Sequence, residues 1–162
     1  MSFSITRDHT DPDWHQAIAL LKRVYVRDGY TTAEGADAFM RRDVLEAGGT
    51  LMLAKASDGT VLGAVLMLRM DGELVQVAQA GEAEFRVLAV TPKARGTGVG
   101  AALVQACVAQ AKASGATALV LWSQPTMASA HRLYERLGFV RIPERDVADA
   151  RGFMRLVYRL GW

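Results

Sequence analysis

Glu84-Phe-Arg-Val-Leu-Ala-Val-Thr-Pro-Lys-Ala-Arg-Gly-Thr-Gly-Val-Gly100 is the stretch on which the reading of this chain turns. Glu84–Val90 has the composition of a β-strand, and Pro92 just beyond it ends its pairing. Gly96, Gly98 and Gly100 then let the backbone come close to a partner as a helix opens. The first turn of a helix carries unpaired N–H groups and a partial positive charge, so the partner expected there is a phosphate.

Outward from that stretch, periodicity and punctuation place the other elements. Ser4–Arg7 reads as a short strand. Asp11-Pro12 starts a helix whose apolar positions are Trp14, Ala17, Ile18, Leu21, Val24 and Tyr25, and Asp28-Gly29 stops it. Thr31 and Glu34 have the spacing of a capping box for a second helix, with Phe39, Met40 and Val44 on its apolar side and Gly48-Gly49 at its end. Thr50–Ala56 and Val61–Arg69 are strands joined by a hairpin at Ser57-Asp58-Gly59-Thr60. Asp71-Gly72 is a turn, Leu74–Val77 a strand extension and Gln79–Glu82 a loop. Gly98–Ser114 is a helix ended by Gly115, Ala118–Trp122 a buried strand, and Thr126–Leu137 a helix closed by Gly138. Phe139–Ile142 and Phe153–Leu160 close the sheet around a charged loop. This order predicts one mixed α/β domain over residues 1–162, a central, mostly antiparallel twisted sheet flanked by about four helices.

Composition narrows the function class. A chain of 162 residues with 51% hydrophobic residues suits one globular domain. A net charge of +2 gives no electrostatic reason to expect nucleic acid or an anionic membrane as partner. A single cysteine, Cys107, excludes an intrachain disulfide, and three scattered histidines form no metal-ligand pattern. Neither a signal-peptide h-region nor a long apolar span is legible, so the expectation is a cytoplasmic, metal-free domain.

Three phosphate-binding patterns compete for the glycine loop. A P-loop requires Lys and then Ser or Thr after its last glycine, and here Gly100 is followed by Ala101. A dinucleotide fingerprint matches the letters from Gly96 to Ala101 but needs an acidic residue at the end of the next strand, where Leu-Trp-Ser-Gln124 stands. The third is Arg-x-x-Gly-x-Gly, met by Arg95, Gly98 and Gly100 behind Leu88-Ala89-Val90. About forty residues on comes Ala130-His-Arg-Leu133-Tyr134-Glu-Arg-Leu-Gly138-Phe139. With both motifs in this order, the sequence closely resembles the GCN5-related N-acetyltransferase (GNAT) family, which transfers acetyl from acetyl-coenzyme A to amines.

The resemblance covers about Glu84–Ile142 and implies roles by position. Leu88, Ala89 and Val90 would pair with the pantetheine arm. Arg95, Gly96, Thr97, Gly98, Val99, Gly100 and Ala101 would hold the pyrophosphate, with Lys93 adding charge. Ala130 and Tyr134 complete the cofactor contacts. Val90 N–H would polarise the thioester carbonyl, Tyr134 would act as general acid, and Glu84 is the candidate base. Glu84 lies six residues before Val90, so strand alternation predicts both side chains on one face. Glu82 and His131 are weaker candidate bases, and Cys107 reads as packing. Met127 departs from the asparagine often found at the start of the second motif, and Ser129 or Ser123 are its candidate replacements.

The acceptor side is less legible. The resemblance assigns it to the first two helices and the closing hairpin, which makes Tyr25, Tyr30, Glu84, Glu144 and Asp146 candidates for contact with a cationic amine. Small amines, amino acids, antibiotics, peptide N-termini and lysine side chains all remain open, as do succinyl or propionyl in place of acetyl. The resulting expectation is an acetyl-coenzyme A-dependent N-acetyltransferase acting by direct transfer in a ternary complex, with homodimers a habit of the family. A non-catalytic acyl-coenzyme A-binding module is the rival reading, and a dinucleotide-binding protein a more distant one.

Overall fold

A computed structural model of the chain describes residues 2–162. The fold divides into two compact units. Among the described residues, one comprises 2–67 and Val87–Ala106; the other comprises Leu68–Arg86 and Cys107–Trp162.

The first unit begins with β1 (Phe3–Thr6) and α1 (Asp11–Arg27). Thr10 caps α1, one residue before the predicted Asp11. Its hydroxyl accepts from the Asp13 N–H at 3.2 Å while the Asp13 carboxylate accepts from the Thr10 N–H at 3.0 Å, a reciprocal capping box. Trp14, Ala17, Leu20, Leu21 and Val24 bury the inner stripe of α1.

The predicted second helix is two: α2 (Ala33–Phe39), capped by Thr32 rather than Thr31, and α3 (Arg42–Gly48). The chain leaves helical geometry at Met40 and is extended at Arg41. The kink buries Met40, as it does Ala36 and Leu45. Tertiary burial overrides local propensity here.

β2 (Gly49–Ala56) and β3 (Val61–Leu68) form the predicted hairpin, and every residue of β3 is buried. A Cβ on Gly63 would stand 2.9 Å from Leu103 Cδ1, 2.9 Å from Val99 Cγ1 and 3.1 Å from the Ala89 carbonyl oxygen. Glycine therefore lets the start of α4 (Val99–Ala113) lie hard against β3.

The second unit is built on part of β4 (Glu82–Val90) and on β5 (Ala118–Ser123), with α5 (Ala128–Arg136), β6 (Val140–Arg141), β7 (Val147–Ala148) and β8 (Met154–Gly161). β4 and β5 are parallel over Glu82–Glu84 and Ala118–Val120, whereas β8 is antiparallel to β5, β6 and β7. The sheet order is β1-β2-β3-β4-β5-β8-β6, with β7 against β8. Among the described residues the sheet has eight strands and the fold five α-helices, the expected mixed α/β class with one helix more than predicted. No described helix is long and apolar enough to cross a membrane.

The expected strand extension at Leu74–Val77 does not form. Those residues are turns and bends, because the N–H groups of Gln76 and Val77 go to a carboxylate rather than to a neighbouring strand. The segment lays Val77 and Ala78 over Val120 and Val157. Beside it, Glu82, expected in a loop, opens β4 and gathers Arg145 at 2.7 and 3.1 Å, Arg159 at 2.8 Å and the Gln79 N–H at 2.9 Å. Burial pushes the Glu82 carboxyl up, but these partners outweigh it and bring it down to about 2 from the ordinary 4.5.

A depressed carboxyl stabilises the fold above its unfolded value and loses that contribution as pH falls through the folded one. Glu82→Gln should therefore lower stability at neutral pH by about 2–3 kcal/mol, leaving two arginines without their counter-charge. The difference between variant and wild type should shrink as pH is lowered from 4.5 towards about 2. Urea unfolding across that range tests this, and a pH-independent difference would refute it.

Candidate active site

In the first unit the predicted phosphate loop is built as follows. A short 3-10 turn at Pro92–Ala94 follows β4. The Arg95 and Thr97 N–H groups are spent on the carbonyls of Pro92 and Ala94, each at 3.3 Å, and the Thr97 hydroxyl also donates to the Ala94 carbonyl. Gly96 and Gly98 sit at φ +77° and +91°, which L side chains rarely adopt, and open space lies where their Cβ atoms would be. Gly98 is the N-cap of α4, its carbonyl accepting from Ala102 N–H at 3.0 Å. The N–H groups of Val99, Gly100 and Ala101 then point out of the helix end without intrahelical partners. Gly100 lies within the first helical turn, so its role differs from that of the two left-handed glycines.

Leu88 and Val90 meet other predicted residues within this unit. The Leu88 carbonyl accepts from the Tyr25 hydroxyl at 3.2 Å, and the Tyr25 ring stands edge-on to Tyr30 at 5.8 Å. Burial, and then the charge of Asp28, raises the Tyr30 hydroxyl pKa. Arg95 Nε donates to the Val90 carbonyl at 3.3 Å, and its guanidinium lies 3.8 Å from Asp28.

Between Arg86 and Leu88, Val87 adopts φ +56°, an outlier for a β-branched residue. The alternation of β4 is interrupted there, so a six-residue separation no longer assigns Glu84 and Val90 to one face, as the sequence reading assumed. Such strain costs about 1–3 kcal/mol and persists where surrounding structure imposes it.

The second unit holds the acid–base candidates. Glu84 is 1% exposed. Its Oε1 accepts from the N–H groups of Gln76, Val77 and Ala78 at 3.1, 2.9 and 2.9 Å, while Oε2 has only Gln76 N–H at 3.3 Å. Burial raises the carboxyl pKa, outweighing those three donors and the charge of Arg86. Tyr134, on the same stripe of α5 as Ala130, is buried among Phe85, Phe139 and Tyr158 with ring centroids 6.0, 5.9 and 5.7 Å away. His131 Nε2 lies 3.0 Å from both Ser123 Oγ and the Gln124 carbonyl, and burial lowers its pKa. Ser123 also donates to Met127 Sδ at 3.3 Å, so both its contacts are internal; Ser129 is exposed beside Arg132.

The acidic acceptor contacts fare differently. Asp146 receives a two-pronged bond from Arg141, both distances 2.8 Å, and another from Val157 N–H at 2.9 Å. Arg141 holds its carboxyl below the ordinary range. It therefore ties the β6–β8 hairpin together rather than presenting a free anion. Glu144 is exposed. Glu82, with its two arginines, is a permanently ionised anchor at neutral pH and not a base.

Sequence reasoning missed Arg86, Trp122 and Arg155, which the structure brings together: both guanidinium groups lie over the Trp122 ring, at 5.9 and 5.0 Å. Their signal was strand parity, since Arg155, Val157 and Arg159 alternate on β8, and Glu82, Glu84 and Arg86 on β4. Among the described residues no group of three or more His, Cys, Asp or Glu is placed to hold a metal ion.

The sequence matches the model of the Acetyltransferase (GNAT) family over residues 12–139. Among solved structures, a GCN5-related N-acetyltransferase from Kribbella flavida is 26% identical, with a TM-score of 0.72 over 99% of this chain and 98% of that one. The PaiA N-acetyltransferase of Thermoplasma acidophilum, in complex with coenzyme A, is 16% identical with a TM-score of 0.74 over 100% of both chains. A GNAT-family acetyltransferase from Brucella melitensis, in complex with acetyl-coenzyme A, is 19% identical with a TM-score of 0.67 over 99% of this chain and 88% of that one. No curated protein matches the chain significantly.

The loop geometry makes its own prediction. Gly98→Ala should cost about 1–2 kcal/mol, because alanine resists a φ of +91°, although nothing obstructs the added methyl. Thermal unfolding without ligand measures it, and an unchanged midpoint would show that the loop does not need the left-handed glycine.

Proposed function

Because the chain belongs to the Acetyltransferase (GNAT) family, we propose that it transfers an acetyl group from acetyl-coenzyme A to a primary amine. The observation that carries this reading is the open end of α4. Two left-handed glycines and the first N–H groups of α4, those of Val99, Gly100 and Ala101, form a cradle suited to a pyrophosphate, with Arg95 beside it. The residues present fit coenzyme A, whose thioester supplies the activated acetyl group. Leu88–Val90 would receive the pantetheine arm, and Val90 N–H would polarise the thioester carbonyl.

In the proposed reaction the amine nitrogen forms a bond to the acetyl carbon and the carbon–sulfur bond breaks. Glu84, directly or through one water at Oε2, takes the proton the amine releases; its raised pKa suits that task. Tyr134 donates a proton to the departing sulfur. With Cys107 its one cysteine, the chain forms no intrachain disulfide, which suits a cytoplasmic enzyme. The acceptor is a small molecule or a peptide amine.

Thermal unfolding with acetyl-coenzyme A, with NAD and ATP as controls, tests the donor. At about 100 times the dissociation constant the added stability is about 2.7 kcal/mol, which raises the midpoint on the order of 5–10 °C. A shift with NAD alone would overturn the reading.

Free-thiol release with an amine panel tests the chemistry. Tyr134→Phe keeps the ring and should lower kcat by about 100-fold or more with acetyl-coenzyme A binding retained. Glu84→Gln should remove the acidic limb of the kcat/KM profile, a limb placed above the ordinary glutamate value. A protein that binds acetyl-coenzyme A but acetylates nothing would instead be the non-catalytic module.

A further inference from the structure

The face of the second unit's sheet opposite α5 carries an arrangement that the family assignment does not absorb. Two residues beyond the Glu84–Val120 pair stand Arg86 on β4 and Trp122 on β5. Trp122 is only partly buried, and its indole N–H donates to Gln76 Oε1 at 2.8 Å, which fixes the ring plane. Phe153, just before β8, stacks beside it at 6.1 Å and 25°. Three guanidinium groups lie on these rings: Arg86 and Arg155 over Trp122, and Arg151 over Phe153 at 4.8 Å.

The arginines are held in place. Asp149, with its side chain 3% exposed, accepts from Arg151 Nε and from Arg155 Nε, both at 2.9 Å. Arg151, then its neighbours, drives the Asp149 carboxyl well below the ordinary range, so it stays ionised. Arg155 is bound to Asp149 only through Nε, and the Arg155 side chain is 20% exposed. Its two terminal nitrogens bond to no other group among the described residues. They form a flat fork lying on an aromatic ring, on a side chain that is partly exposed, the geometry in which arginine takes a planar oxyanion by two parallel bonds.

Shape selects the oxyanion. Arg151 and Arg155 share one carboxylate, Asp149, through their Nε atoms. The planar cationic fork left on Arg155 matches the two oxygens of a carboxylate. It also reverses the expectation that acidic residues would meet a cationic acceptor, since Asp146 is committed to Arg141.

We propose that the Arg155 fork on Trp122, supported by Arg86, binds the carboxylate of the acetyl acceptor, making the substrate an amine that also carries a carboxylate, of the amino acid class. Resting on the acetyltransferase reading, this assigns Arg155 and Trp122 to acceptor specificity. Arg86 follows the proposed base Glu84 by two residues on β4, which places the cationic face beside that base.

Matched acceptors test it: the common amino acids against their α-amides, followed by free-thiol release from acetyl-coenzyme A. At least one free acid should exceed its amide in kcat/KM by about 100-fold. Arg155→Lys keeps the charge but not the fork, and should shrink that preference by about tenfold or more, mainly through KM. Equal rates for acids and amides would overturn the inference and leave the acetyltransferase reading standing.

Binding is read separately, by tryptophan fluorescence titration with the same acids and amides, with Trp122→Phe as control. Acids that bind while amides do not support the carboxylate site even if nothing is acetylated, an outcome that would instead count against the acetyltransferase reading. Failure of every acid to bind more tightly than its amide overturns the inference. A response retained in Trp122→Phe but lost in Arg155→Lys would still place the site at the fork.

Discussion

A carboxylate taken out of water must find donors, and the structure of the second unit follows from how Glu84 finds them. Leaving such a group unpaired would cost several kcal/mol. Three consecutive N–H groups, of Gln76, Val77 and Ala78, converge on one of its oxygens. That convergence forbids a strand at Leu74–Val77 and lays the segment across the sheet. Val77 then closes over Val120 and Val157, and Gln76 reaches the Trp122 indole. One buried charge thus organises a loop, a small apolar cluster and the orientation of an aromatic ring.

The same face of β4 carries three charged positions at alternate residues, each answered differently. Glu82 is saturated by two arginines and stays ionised into strong acid. Glu84 takes its hydrogen bonds from backbone N–H groups, with the charge of Arg86 close by, and, with burial dominant, ionises less readily than an ordinary glutamate. Arg86 lies over an aromatic ring. A glutamate held by arginines is a strut. One held by neutral donors keeps a titration useful for proton transfer. The two glutamates are alike in sequence, and only their neighbours separate an anchor from a candidate base.

The opposite face of that sheet is aromatic. Phe85, Tyr134, Phe139 and Tyr158 pack edge to face or tilted, with His131 against Tyr158 at 5.4 Å. A phenol ring in such a setting is rigid, and any aromatic ring would fill it. The burial of Tyr134 therefore does not by itself argue for chemistry; its place in the second motif does.

Much of this protein was legible in one dimension because its determinants are local. The strand, the left-handed glycines and the helix start between Glu84 and Gly100 depend on near neighbours in the chain, and they appear where spacing put them. The hairpin at Ser57–Thr60 and the stripe of α1 follow from the same short-range rules. The exceptions needed a partner remote in sequence. The second helix breaks at Met40, where burial outweighs propensity. Asp146 is committed to Arg141 and Val157 on other parts of the hairpin. The strained Val87 carries no signature of its own, since nothing local favours a β-branched residue at positive φ. The Arg155 fork joins residues from β8, β5 and the segment before β4, separated by as many as 79 positions from Gln76. Sequence by itself determined the fold class, the family and the glycine turn that opens α4, since backbone conformation and helix ends are written in neighbouring residues. Which charges are spent and which remain for a ligand was decided only by tertiary structure, because a charge is neutralised by whatever stands beside it in space.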